Sequence, residues 1–284
     1  MEPYIIALKL IEWIEEDSPF GDLTSEILVP RGLTVEASII AKSNGIAACF
    51  NDIASALSIL GLNVIMEVSD GEEFREGTVI MRLRGEARKI LLYERTILNL
   101  MSFLSGIATK TRRLVNIVKN ANPRVRVAAT RKVVPGLRAL VKKAVALGGG
   151  DTHRFSLSDA VLIKDNHLAI IGDVEKAVKL AKARASFIHK VEVEVTNPYD
   201  ALKAARAGAD AVLLDNMNPE DVGLTIRLLE EHGLRRQVLV EVSGGIDEDN
   251  IVEYASKGPD VISTSAITMR PDKVDLGLEV DRVV

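Results

Sequence analysis

The chain has 284 residues, 47% of them hydrophobic, and its 36 Lys+Arg against 40 Asp+Glu give a formal net charge of −4. That length allows one large domain or two modest ones, and the composition excludes disorder as the main state. A single cysteine, Cys49, excludes a disulfide framework. The mild acidity speaks against nucleic acid, and neither a secretory start nor an apolar run of about 18 residues is evident, so a cytoplasmic protein with no membrane contact is expected.

The first 110 or so residues read as an α+β domain. A helix is expected over Tyr4–Glu16, strands at Thr34–Ala41, Asn63–Val68 and Thr78–Leu83, and a helix at Asn51–Leu60. A long helical region from Glu86 to about Asn120 follows, with a break expected near Gly106.

From residue 125 onward the pattern changes. Short apolar runs rich in Val and Ile occur at Val125–Thr130, Asp159–Lys164, Lys190–Val195, Ala211–Asp215, Val238–Ser243 and Val261–Ser265. Helical stretches alternate with them: Pro135–Leu147, Asp173–Ala185, Asn197–Ala207, Asn218–His232 and Asp247–Lys257. Alternation of this kind predicts βαβ units and a parallel sheet, doubly wound or closed into a barrel.

The ends of these strands carry the chemistry. In order they deliver Arg131-Lys132, Lys164, Glu194, Asp215, Ser243-Gly244-Gly245 and Ser265 to one end of the sheet, the end that bears active sites in α/β folds. Nine basic residues between Arg124 and Lys164 face only Asp151 and Asp159, a local inversion of the acidic average that suits a small polyanion. Within it, Lys142 and Lys143 read as a solvated helix face. The Ser-Gly-Gly turn admits phosphate to backbone N–H groups, with the following helix expected to add its positive end. Glu194 and Asp215 suit Mg2+, sugar hydroxyls or salt bridges to the nearby cations. Glu192 alternates with Glu194 on the same strand face and reads as a buried partner charge. No nucleophilic triad or histidine metal motif emerges, which favours electrostatic positioning of anions.

With these residues in hand, the chain resembles the quinolinate phosphoribosyltransferase family over nearly its whole length. The resemblance rests on Gly21-Asp-Leu-Thr-Ser25, Glu94-Arg-Thr, Leu104-Ser-Gly-Ile-Ala-Thr109, Thr130-Arg-Lys with Pro135-Gly-Leu-Arg138, and Gly148-Gly-Gly with His153-Arg154. It continues through Lys164-Asp-Asn-His167, Val191-Glu-Val-Glu-Val195, Leu214-Asp-Asn216 and Val242-Ser-Gly-Gly-Ile246. It implies an incomplete, about six-stranded α/β barrel over 111–271 and an N-terminal α+β sandwich domain over 1–110, with the tail 272–284 a candidate addition to the latter. It also implies a homodimer with a shared active site, or a higher oligomer. The reaction it implies is Mg2+-dependent: quinolinate and phosphoribosyl pyrophosphate give nicotinate mononucleotide, pyrophosphate and CO2, a step of NAD biosynthesis. Two alternatives stand beside it, a molybdenum-transport-associated paralogue of the same fold and a non-catalytic phosphate-ligand binding protein.

By motif match, the resemblance assigns Thr130, Arg131, Lys132, His153, Arg154 and Lys164 to the substrate anions, with His153 an orienting hydrogen-bond donor. Arg95 would reach across the dimer interface. Glu194 and Asp215 would hold ribose hydroxyls or Mg2+, and Ser243, Gly244, Gly245 and Ser265 the phosphate; Lys132, Lys164, Glu194 and Asp215 form the catalytic set. Two departures stand out. Val133-Val134 occupy positions where the family usually has hydroxyl residues, and Ser265 stands where glycine is usual, adding a hydroxyl that can bind phosphate or a Cβ that can crowd it.

Overall fold

The β-branched runs from residue 126 to 263 assemble into a six-stranded parallel sheet, while three strands of the first 86 residues and the C-terminal strand form a four-stranded antiparallel one. The computed structural model describes residues 2–284. In chain order its elements begin with α1 (Pro3–Asp17), α2 (Leu23–Leu28), β1 (Thr34–Ala41), β2 (Gly45–Ile46), α3 (Phe50–Ile59), β3 (Asn63–Met66), β4 (Glu73–Phe74), β5 (Val79–Glu86) and α4 (Ala87–Ala121). Then follow β6 (Arg126–Ala128), α5 (Arg138–Leu147), β7 (Val161–Ile163), α6 (Asp165–Ile171), α7 (Val174–Arg184), β8 (Val191–Val195) and α8 (Pro198–Arg206). The chain finishes with β9 (Ala211–Asp215), α9 (Pro219–Glu231), β10 (Leu239–Ser243), α10 (Ile251–Ser256), β11 (Val261–Ser263), α11 (Ala266–Met269) and β12 (Leu276–Val283).

The first compact unit runs to Lys110 and adds Ala139–Gly149 and Pro271–Val284. Its sheet has the order β12-β1-β5-β3, so the C-terminal tail returns to pair antiparallel with β1. Helix α5 belongs to this unit and not to the barrel segment 111–271 in which sequence order places it. The helix buries Leu140, Val141, Ala144 and Val145, and Lys143 Nζ is held by the carboxylates of Asp52 and Asp70, the latter at 3.1 Å, whose side chains are 10% and 8% exposed. Asp70 also substitutes for an N-cap on α3. Cys49, at the cap position, is left-handed (φ 62°), and Asp70 Oδ1 instead accepts from the Phe50 N–H at 2.7 Å. The solvated face expected for Lys142 and Lys143 is therefore absent; Lys142 itself is 2% exposed.

Helix α4 passes through Gly106 without a break. Glycine is needed there for a close approach, because a Cβ at this position would stand 2.2 Å from the carbonyl oxygen of Asp272. Contrary to the expectation of no such run, one 18-residue window of α4 is apolar enough to cross a membrane by length and composition. Half of that window is buried, as in a core helix.

The second unit comprises Thr111–Arg138 and Gly150–Arg270. Its strands lie in the order β6-β11-β10-β9-β8-β7, which is chain order closed through β6–β11 and open only between β6 and β7. That is the topology of an incomplete barrel. The helices expected to start at Asp173, Asn197 and Asn218 are capped by those residues, whose side chains accept from the backbone N–H three residues on at 2.8, 3.0 and 2.9 Å, each worth about 1 kcal/mol. The short helices α6 and α11, which directly follow strand ends, are not evident in the sequence pattern because neither completes two turns of periodicity.

Candidate active site

Parallel register decides which side chains share the interior. Glu194 lies level with Leu213 and Glu241, and Asp215 with Ser243, so alternate residues of β8, β9 and β10 project to one face. At the C-terminal ends of the strands this face opens into two adjoining cavities. The inner one, about 300 Å³, is lined by Thr130, Arg131, Lys132, His153, Arg154, Lys164, Glu194, Asp215, Glu241, Ser243 and Ser263, with Leu162 and Leu213. The outer one, about 470 Å³, shares Thr130, Lys132, Lys164, Glu194, Asp215 and Ser243 and adds Asn216, Gly244, Gly245, Ser265 and Arg270 among others.

The structure thus brings together every sequence-predicted site residue except one. Arg95 lies on α4 in the other unit, its side chain 65% exposed with Glu94 3.9 Å away, and it does not line either cavity.

The inner cavity is cationic at one side. Burial, and then repulsion from Arg131, lower the pKa of Arg154 from its ordinary value. Arg131 Nε is buried without a hydrogen-bond partner, while Arg154 Nη1 donates to the carbonyl of Ala160 at 3.1 Å. Glu192 and Asp159 offset part of this repulsion, and two neighbouring guanidinium groups suit an anionic ligand. Lys132 is set by its backbone: its N–H donates to Thr130 Oγ1 at 3.0 Å and its carbonyl accepts from Thr268 Oγ1 at 2.6 Å. Lys164 Nζ pairs with Glu194 Oε2, and the Lys164 N–H donates to His167 Nδ1 at 2.9 Å, which places His167 at the start of α6.

His153 is not a free donor toward a ligand. Its Nδ1 accepts from the Arg154 N–H at 2.7 Å, which requires the ring proton on Nε2, and Nε2 then donates to Glu241 Oε2 at 3.1 Å with Glu192 Oε2 at 3.6 Å. Burial and the neighbouring Glu241 carboxylate push the Glu192 carboxyl up to about 8. The same tautomer argues against a metal on this His-Glu-Glu cluster. A histidine ligating through Nε2 carries its proton on Nδ1, where it would oppose the Arg154 N–H. Glu241 escaped the sequence reading. Its signal was available: a charged residue inside the apolar run Leu239–Ser243, two positions before Ser243 and so on the same face.

Gly244 (φ 100°) and Gly245 (φ 61°) line the outer cavity with two successive positive-φ residues, a backbone that leaves no Cβ in the way of a phosphate approaching its N–H groups. The expected contribution of a following helix is not found, because α10 begins only at Ile251. Ser265 lines this cavity with ordinary backbone geometry (φ −79°).

Glu194 and Asp215 offer hard oxygen donors beside the lysines. Glu194 Oε2 is engaged by Lys164, and Asp215 Oδ2 accepts from Asn216 Nδ2 at 2.7 Å, so each carboxylate keeps a second oxygen for a hydroxyl or a cation. This donor set fits Mg2+ shared with a phosphate ligand.

Known proteins match the chain over nearly its whole length. Models of the quinolinate phosphoribosyl transferase N-terminal and C-terminal domains match residues 22–105 and 107–279. The chain is 47% identical over 269 residues to a probable nicotinate-nucleotide pyrophosphorylase [carboxylating] of Methanothermobacter thermautotrophicus, covering 95% of this chain and 96% of that one. It is 35% identical to the human nicotinate-nucleotide pyrophosphorylase [carboxylating], covering 98% and 93%. The solved structure of the nicotinate-nucleotide pyrophosphorylase from Francisella tularensis superposes with a TM-score of 0.90 at 36% identity, covering 99% and 98%.

Proposed function

The chain belongs to the quinolinate phosphoribosyl transferase family, and from that premise we propose that it joins quinolinate to phosphoribosyl pyrophosphate with loss of CO2, giving nicotinate mononucleotide and pyrophosphate. The observation that carries the reading is the pair of adjoining cavities that share Lys132, Lys164, Glu194 and Asp215. One is built for a compact dianion and the other for a phosphate.

Quinolinate enters the inner cavity with its two carboxylates on Arg131 and Arg154. The sugar donor lies in the outer cavity with its 5-phosphate on the Gly244-Gly245 turn and Ser265, and its hydroxyls on Glu194 and Asp215. The two anions repel each other, and the cations between them offset that repulsion and hold the ring nitrogen against the anomeric carbon. The nitrogen lone pair forms the new C–N bond as the bond to pyrophosphate breaks. Lys132 and Lys164 line both cavities and stabilise the charge that develops on the leaving group. The ring nitrogen is then cationic. The 2-carboxylate departs as CO2, its bonding pair stays on ring carbon 2 next to that cation, and the carbon takes a proton from water. No general base is needed. Mg2+, when bound through Glu194 and Asp215, supplies further charge neutralisation at the pyrophosphate.

Arg95 serves the site of a partner copy in a homodimer. Support comes from the first unit, where Tyr4, Ile5, Leu8 and Ile11 of α1, together with Phe20, Leu23 and Ile27, expose large apolar side chains suited to a second subunit. The place of action is the cytoplasm, in keeping with the composition. Incubation with quinolinate, phosphoribosyl pyrophosphate and Mg2+ tests the proposal by release of CO2 and formation of nicotinate mononucleotide. Absence of product, with nicotinate equally inert, overturns it.

A further inference from the structure

Arg154 stands on irregular backbone. The segment from Gly150 to Ala160 leads into β7, which does not pair with β6, and its start is tied to β6 by the bridge between Ala128 and Asp151 and by Arg126 Nη1, which donates to Asp151 Oδ2 at 3.2 Å. The turn is strained, because His153 is left-handed (φ 53°), a conformation that costs a residue with a Cβ about 1–2 kcal/mol. Local bonds shape it. Asp151 Oδ1 accepts from the His153 N–H at 2.7 Å, and Asp159 Oδ2 accepts from the Phe155 and Ser156 N–H groups at 2.6 and 2.9 Å. These bonds stay inside the segment and do not fix where it sits over the sheet.

Glu241 does. It lies on β10, two strands from β6 and three from β7, and its carboxylate meets the His153 ring from across the barrel interior. Unlike Glu194 and Asp215, this carboxylate of the inner cavity is not shared with the outer one. Glu241 is 5% exposed, and its Oε1 has no hydrogen-bond partner. Such a group lowers anion affinity by direct repulsion and costs desolvation on folding, so its presence calls for a compensating role.

We propose that Glu241 is a positioning residue for acid binding: by accepting the His153 Nε2–H it locks the imidazole with Nδ1 toward the Arg154 N–H, and so fixes the strained turn that carries the Arg154 guanidinium into the pocket. The order of action runs from Glu241 through His153 to Arg154, and Glu241 itself need not touch substrate. The inference rests on the proposed reaction only in naming the acid as quinolinate.

The test is a set of Glu241 variants in the full-length protein. Glu241→Leu removes the acceptor, and the expected result is a rise of about tenfold or more in KM for quinolinate with KM for phosphoribosyl pyrophosphate changed less than about twofold. Glu241→Gln, whose amide oxygen can still accept from Nε2–H, recovers most of that loss. In an Arg154→Ala background, Glu241→Leu adds no further loss, since the two changes remove one interaction. Equal rises in both KM values, no recovery by glutamine, or additive losses overturn the proposal. If Glu241→Leu does not fold, His153→Leu breaks the same tether from its other end and must shift the quinolinate KM alone. Nitrogen-15 spectra of the histidine rings separate this proposal from the assigned reaction. The tether requires His153 protonated at Nε2 in the wild-type protein whether or not quinolinate is turned over, and an Nδ1-protonated ring refutes it.

Discussion

Asn216 and Gly244 interlock at the mouth of the outer cavity: a Cβ on Gly244 would stand 2.3 Å from Asn216 Oδ1 and 2.7 Å from the Asn216 backbone nitrogen. Asn216 is itself left-handed (φ 52°), donates its N–H to the Ser243 carbonyl at 2.9 Å, and holds Asp215 through its side-chain amide. The glycine turn and the Asp215 carboxylate are thus one mechanical assembly.

Gly244→Ala must displace Asn216 and with it Asp215. The expected outcome is a fall of about 100-fold or more in turnover, with weakened binding of phosphoribosyl pyrophosphate and quinolinate binding retained. Calorimetric titration with each substrate separately checks the split, and equal loss of both would show that the turn is not confined to the phosphate side.

Lys143 is expected to matter for stability and not for chemistry. Lys143→Met leaves Asp52 and Asp70 as buried carboxylates without their cation and should destabilise the first unit by roughly 1–3 kcal/mol. The figure is kept below that of a fully buried pair because the Lys143 side chain is 38% exposed. Denaturant unfolding measures it, and turnover per folded molecule should be unchanged. Lys142, which a solvated-face reading would call dispensable, is buried and should likewise lower stability when truncated to alanine.

Glu192 predicts a pH dependence with a definite sign. Its carboxyl is raised from 4.5 to about 8 in the folded protein, so between those values the native state holds a proton that the unfolded chain has released. Stability from this group is present at the acid end of the window and is lost as pH rises through it. Thermal unfolding of the wild type without added divalent cation should show that decline, and Glu192→Gln should flatten it. A wild-type protein whose unfolding temperature rises steadily from pH 5 to pH 8, with the variant following the same curve, would refute the assignment.

The proposed role of Arg95 is open to complementation. Arg95→Ala and Lys164→Ala should each be inactive alone, the first for want of the partner's arginine and the second through its own site. Mixed after dissociation and reassociation, random pairing restores one intact site in half of the dimers, or about a quarter of wild-type activity. No recovery on mixing would place Arg95 in its own subunit's chemistry.

Much of the second unit is legible in the residue pattern. β9 is found at the predicted Ala211–Asp215, and the helices that open on Asp173, Asn197 and Asn218 start one residue later, because capping is a local hydrogen bond made by the residues that announce it. The polar residues at the strand ends were likewise visible in order, since a two-residue period puts alternate side chains on one face. Not legible were the features that depend on distant partners. Gly106 reads as a helix breaker until Asp272 is placed against it, and Lys143 reads as a surface lysine until Asp52 and Asp70 close on it.

By itself the sequence determined the barrel pattern, the anionic character of the ligands and the identity of most lining residues, because those follow from local period, charge and motif. Tertiary structure alone decided that His153 faces Glu241, that Arg131 and Arg154 line one cavity, and that α5 joins the first unit. Each of these depends on contacts between residues far apart in the chain, and a hydrogen bond across 88 residues leaves no periodic trace in either segment that makes it.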